Sequence, residues 1–106
     1  MPIKLHPKAE IDVEEALRYY EQVDKTLKLK FIHYLETTFN KIILFPHIYP
    51  YETKTSQKVL MEKFPYIIIY EQYQDGIMIL AIFHTSRDPI NLDNRATCKF
   101  KDFEYE

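Results

Sequence analysis

FPYIIIYEQYQDGIMILAIFHTSRDP, Phe64 to Pro89, decides the fold. Two apolar runs flank Asp75-Gly76, and Gly76 is the only glycine in the chain. Asp-Gly between apolar runs predicts a tight hairpin, because the turn needs a positive φ that glycine adopts without a Cβ clash. Tyr66 to Tyr73 and Ile77 to Phe83 are then consecutive antiparallel strands. The second is almost wholly apolar and reads as a buried strand. It ends abruptly in His84, Thr85, Ser86 and Arg87, so a rigid support delivers an imidazole and a guanidinium to the end of the sheet.

Upstream, Lys58 to Lys63 alternates and completes a three-stranded meander. Pro65 lacks an N–H and belongs at a strand start or on a bulge. The stretch before it, PHIYPYETKTSQ from Pro46 to Gln57, is a loop of about a dozen residues, a length at which functional loops concentrate. Further back, Leu27, Phe31, Leu35, Phe39 and Ile42 form the apolar stripe of a helix that Asp24 caps and Pro46 stops. Ile32, Tyr34 and Ile43 widen the stripe, while Lys25, Lys28, Lys30 and Lys41 lie on the other side. Val13, Ala16, Leu17, Tyr20 and Val23 mark an earlier helix of about 14 residues that opens at Pro7 or Ala9. Glu10, Asp12, Glu14 and Glu15 crowd its start, where the helix dipole favours anions. Met1 to Leu5 reads as a short strand.

The order is strand, helix, helix and three strands. It predicts an α+β fold: an N-terminal strand and an antiparallel two-helix hairpin packed on a small, mostly antiparallel sheet. One domain spans residues 1–95, and 96–106 is a tail whose Phe100, Phe103 and Tyr105 call for a docking surface. At 106 residues the chain buries roughly two thirds of its unfolded surface and needs no staples.

Composition narrows the function. The lone cysteine, Cys98, excludes an intrachain disulfide and fits a reducing cytosol. No Cys/His spacing suits a metal, and no cofactor motif is present. MPIKLHPKAEID carries no apolar signal core, and Ile77 to Phe83 is far too short to span a bilayer. These features place the protein in the cytoplasm, away from membranes. Net charge is -2, from 14 Lys and Arg against 16 Asp and Glu. Nucleic-acid binders usually carry a basic excess, so this balance weighs against an RNA substrate.

Candidate chemistry centres on His84 and Arg87. Imidazole exchanges a proton near neutral pH, and the guanidinium fork holds phosphate or carboxylate. The structural alternative pairs Arg87 with Asp88 or Asp93 and tucks His84 under the C-terminal segment. Lys54, Lys58 and Lys63 form a second set. Metal-free RNA cleavage needs a base for the 2′-hydroxyl, cations for the phosphate and an acid for the leaving oxygen. Lys54 and Lys58 fit the cationic role; solvated lysines on a strand edge are the plainer reading. The tyrosines, Tyr20 above all, read mainly as core and rim residues with buried rings.

The pattern FPYxIxYxxxxDxIxILAIxHxxRxP resembles the closing half of the RelE/ParE toxin superfamily, the toxic partners of bacterial type II toxin–antitoxin and plasmid stabilisation modules. Ala9, Asp12, Glu15, Ala16 and Tyr19-Tyr20-Glu21 resemble the first helix of those toxins. Phe45-Pro46 and Tyr49-Pro50 sit where the family leaves its second helix. The resemblance covers roughly residues 3–95 and implies the RelE/ParE-like fold, with the first strand beside the last.

It also implies a cognate antitoxin whose C-terminal segment is disordered when free and folds along the toxin. The groove between the helical hairpin and the sheet is the expected seat, with Phe31, Tyr34, Phe39, Arg87 and Arg95 as partner contacts, in a toxin–antitoxin hetero-oligomer or a homodimer. Two modes of growth inhibition follow from the family's branches. A ParE-like toxin binds a protein target, DNA gyrase, and performs no chemistry. A RelE-like toxin is a metal-independent endoribonuclease that cuts mRNA on the ribosome; there Arg87, His84, Lys58 and Lys54 would form the catalytic set. In that branch an arginine is frequent near Lys58 and a tyrosine follows the HxxRxP arginine. Here the arginine is absent, and no tyrosine follows Arg87 until Tyr105. The incomplete set favours the ParE-like reading. A third reading is a member that binds its antitoxin with weak or no toxicity. Arg95 closes RDPxxxxxR, with Leu92 where family members often carry tryptophan.

Overall fold

The computed structural model describes residues 3–86. Its elements run β1 (Ile3–Leu5), α1 (Pro7–Val23), α2 (Lys25–Leu44), β2 (Ser56–Leu60), β3 (Tyr66–Tyr73) and β4 (Gly76–His84). The sheet order is β1-β4-β3-β2, with β1 parallel to β4 and the other pairs antiparallel. The expected α+β architecture is therefore present, and the first strand lies beside the last. Arg87, Arg95, Cys98 and the tail 96–106 lie outside the described residues.

Pro7 opens α1, where a missing N–H costs nothing. The imidazole of His6 accepts the Lys8 N–H at 3.0 Å and caps that first turn. Asp24 alone joins the two helices. Its backbone N–H donates to the Tyr20 carbonyl at 2.8 Å, closing α1. Its carboxylate accepts the Thr26 N–H at 2.9 Å, opening α2. With this one residue between them, the two helices pack against each other as a hairpin.

That hairpin covers one face of the sheet. Ala9 and Ala16 are buried and let α1 approach β4 closely. Tyr20, Phe31, Phe64 and Tyr66 form an aromatic cluster between helices and sheet. The Tyr20–Phe64, Phe31–Phe64 and Phe31–Tyr66 centroids lie 5.0, 5.2 and 5.3 Å apart in edge-to-face contact. Each such pair contributes roughly 0.5–1.5 kcal/mol beyond its buried area. Ile68, Tyr70, Ile77, Ile79 and Ile82 share this core. Ile69, Met78, Leu80, Ala81 and Phe83 form a second buried cluster on the opposite face.

The cross-strand register explains which residue joins which cluster. Ile69 faces Ala81 but Tyr70 faces Ile79, so β4 carries one extra residue there. This bulge puts Leu80 and Ala81 on the same face and reverses the alternation beyond them. Ile77 and Ile79 point to the helices before it, and Ile82 and His84 share that face after it.

Two turn expectations need correcting. Tyr73 pairs with Gly76, so the hairpin loop is Gln74-Asp75 and Gly76 is the first residue of β4. Gly76 has no positive φ. The positive φ, 69°, belongs to Lys63 in the turn between β2 and β3, where an unbroken strand to Lys63 was expected.

The loop after α2 is tied to the sheet by buried polar groups. The Pro46 carbonyl accepts from Gln57 Nε2 at 2.8 Å, the Tyr70 hydroxyl at 2.7 Å and Gln72 Nε2 at 3.1 Å. Gln57 also donates to the Tyr49 carbonyl at 3.0 Å and accepts from Gln72 at 2.7 Å. Burial, with Tyr49 and Tyr51 adding to it, pushes the Tyr70 hydroxyl well above its ordinary pKa and keeps it a donor.

Candidate functional site: a split cationic set and a groove along the second helix

Lys58 and His84 both belong to the candidate catalytic set of the nuclease reading. Lys58 pairs with Ile69 of the second cluster and so projects from the face away from the helices. Its ammonium lies 3.0 Å from the Glu52 carboxylate. His84 pairs with Tyr66 on the helix-covered face, its ring 5.1 Å from the Tyr66 ring in edge contact. Its Nδ1 accepts the Ser86 N–H at 3.1 Å. Lys54 is exposed in the loop before β2 and makes no ion pair among the described residues. Lys63 lies at the far end of β2, beyond Leu60. Among the described residues, Lys58 and His84 thus lie on opposite faces of the sheet. Among the described residues no three His, Cys, Asp or Glu side chains are grouped to hold a metal ion. No helix among them is long and apolar enough to cross a membrane.

The partner-contact residues divide as well. Phe31 is fully buried inside the aromatic cluster and presents no surface; it is a core residue that shapes the site from behind. Phe39 is partly buried against the same core. Tyr34 does reach a groove, one between α2 and the β2–β3 turn with a volume of about 600 Å³. Leu27, Tyr34 and Phe64 supply its apolar surface, and Lys30, His33 and Lys63 its polar rim. Leu29 stands at its edge, 66% exposed.

Local sequence builds this groove. Leu27, Lys30 and Tyr34 recur at helical spacing along one side of α2. Phe64 enters the core from the turn, its ring 6.3 Å from that of Tyr34. The Lys41 ammonium reaches Glu62 at 3.0 Å and ties the same turn to α2. The His33 ring lies 5.0 Å from the Tyr34 ring, edge to face. Sequence reasoning assigned Lys30 to a solvated face and Lys63 to a strand. The signal for both was the spacing Leu27, Lys30, Tyr34 set against a turn ending in Phe64-Pro65.

A second cleft, about 360 Å³, lies between α1 and the end of β4 and is lined by Asp12, Glu15, Arg18, Tyr19, Tyr66 and Ile82. Asp12 accepts the Ile82 N–H there at 3.0 Å, so its carboxylate satisfies a β4 donor beyond the stretch that β1 pairs with.

Comparison with known proteins places this geometry in context. The model of the ParE toxin of the type II toxin–antitoxin system parDE matches residues 3–89. Among solved structures, the chromosomal ParDE TA system from P. aeruginosa contains a chain that superposes with a TM-score of 0.65 at 17% identity. The match covers 81% of this chain and 97% of that one, and at such identity it speaks for the fold alone. No curated protein matches the chain.

Proposed function

The chain belongs to the ParE toxin family of type II toxin–antitoxin systems, and we propose that it arrests growth by binding a protein target, DNA gyrase, without performing chemistry of its own. One observation carries the choice between branches. Lys58 and His84 project from opposite faces of the sheet, and Lys58 is already neutralised by Glu52. General acid–base cleavage of RNA needs its proton donor, acceptor and cations around one phosphate. The negative formal charge, -2, adds no electrostatic pull toward RNA.

Membership of this family implies an antitoxin partner. The groove beside α2 is the surface best suited to it, with Tyr34 in the groove, Phe31 behind and Phe39 further along the helix. An antitoxin segment that orders on Tyr34 and Phe64 would bury apolar area now open to water.

Induced expression in a bacterial host tests the target. Filamentation, DNA-damage signalling and loss of gyrase supercoiling with purified protein are the expected results. Rapid loss of protein synthesis with cut mRNA would overturn the reading in favour of a ribosome-dependent nuclease, and normal growth would overturn it in favour of a non-toxic antitoxin binder.

A further inference from the structure

We infer that the segment following β4, residues 87–106, closes the outer face of the sheet, the one away from the helices, and sets Phe100, Phe103 and Tyr105 against Ile69, Leu80 and Ala81.

Burial shows that this face is covered. Ile69, Leu80 and Ala81 are fully buried, and Met78 and Phe83 are each 6% exposed. Every member of the cluster, with the partly buried Ile67 and Tyr73, belongs to β3 or β4. The buried apolar residues of both helices join the cluster on the other face. Neighbours within one sheet shield a side chain only from the flanks, and its tip needs a second layer about 10 Å away. A sheet face that meets water instead carries polar residues at alternate positions. Here that set is Ile67, Ile69, Glu71 and Tyr73 on β3, with Met78, Leu80, Ala81 and Phe83 on β4. Glu71, its one charged member, is itself buried and accepts the Thr55 hydroxyl at 2.7 Å. Such a face is half of a second core.

The path of the chain points to the other half. β4 ends at His84, and a turn follows at once, in which the Ser86 N–H donates to His84 Nδ1. The Thr85 N–H donates to the Pro65 carbonyl at 2.8 Å, so the chain leaves β4 beside the start of β3. Residues 87–106 continue from there. β4 spans about 30 Å. A segment of that length reaches roughly 65 Å when extended, enough to return along the whole sheet. Ile90, Leu92, Phe100, Phe103 and Tyr105 give it the apolar surface a second layer needs. The match to the family model ends at residue 89, so most of this cover lies outside the matched scaffold. A closed outer face leaves recognition of partners to the helix side and the sheet edges.

The test uses the full chain with labelled methyl groups, read by NMR in the presence of a soluble gadolinium chelate. Methyls of Ile69, Leu80 and Ala81 should relax as slowly as those of Ile68 and Ile79, which lie under the helices. They should also show nuclear Overhauser contacts to the rings of Phe100, Phe103 and Tyr105. The double variant Phe100→Ala with Phe103→Ala should raise the relaxation of the outer-face methyls severalfold and leave Ile68 and Ile79 unchanged. Should that variant unfold, the ring contacts in the parent chain decide alone. Fast relaxation of the outer-face methyls in the parent overturns the inference. So does protection without ring contacts to the segment, protection that a folded double variant retains in full, or protection lost on dilution, which would assign the cover to a second copy of the chain.

Discussion

Lys58 and His84 stand on opposite faces of one sheet, and the bulge at Leu80-Ala81 is the reason. Strict alternation from Ile77 would turn His84 to the face of Lys58. The extra residue in β4 reverses the alternation and sends His84 to Tyr66 and the helices instead. A single backbone irregularity thus dismantles the arrangement that cleavage would need.

Lys58→Ala and His84→Ala should therefore leave toxicity close to that of the parent chain, singly or together. Lys58→Ala removes an exposed pair with Glu52, worth about 0–1 kcal/mol. Growth curves after induction, with protein level checked by blot, measure the effect. A loss of toxicity from the double variant at equal protein level would show that these residues act together despite their separation, and would revive the nuclease.

Phe31 and Tyr34 are neighbours on α2 with opposite expected phenotypes. Phe31→Ala empties the centre of the aromatic cluster and should cost about 3–5 kcal/mol of stability. Tyr34 is half-buried, so Tyr34→Ala should cost less, while weakening antitoxin binding through the lost groove contact. Urea unfolding and titration with the antitoxin separate the two. Antitoxin affinity that is insensitive to Tyr34→Ala would exclude the groove beside α2.

The fold was legible because its signals were local. Pro7, Asp24 and Pro46 bound the helices, and the apolar runs around Asp75-Gly76 set the meander. The turn chemistry was less so: Gly76 drew attention as a positive-φ residue, but Lys63 adopts that conformation, because the β2–β3 turn is closed by Phe64 in the core and not by residue preference. The site was legible only in part. Ile77 to Phe83 is apolar at every position, so nothing in it could reveal the bulge that decides where His84 points. Phe31 and Tyr34 lie three residues apart on one stripe, and periodicity alone cannot say which is interior. Their difference arises from the rings around them: Tyr20, Phe64 and Tyr66 enclose Phe31, whereas Tyr34 meets only Phe64 of that cluster.

Asp12 and Ile82, 70 residues apart in sequence, fasten α1 to β4 beyond the stretch that β1 pairs with. Asp12→Ala should cost about 1–3 kcal/mol by stranding the Ile82 N–H. Asp12→Asn keeps an acceptor at the same reach and should retain most of the stability. Chemical unfolding of both variants checks this. Equal losses would mean that the negative charge, and not the accepted hydrogen bond, is what matters there.

Tyr70 should give the protein a pH-dependent share of stability at the alkaline end. Its folded pKa is raised above the unfolded value of 10.0, so the folded state holds this proton more tightly. The contribution is complete below pH 10 and falls as pH rises beyond it. Tyr70→Phe loses the hydrogen bond to the Pro46 carbonyl, but Gln57 and Gln72 still donate there, so the cost at neutral pH should be only about 0.5–1.5 kcal/mol. Gln57→Leu should cost more, because it also strands the Tyr49 carbonyl and takes away the oxygen to which a Gln72 side-chain N–H donates. Urea unfolding at neutral pH and again above pH 10 should show the gap between the parent chain and Tyr70→Phe closing as pH rises, since only the parent has this buried hydroxyl to ionise. A gap that stays constant or widens would mean that Tyr70 ionises no more reluctantly in the folded protein than in the unfolded chain.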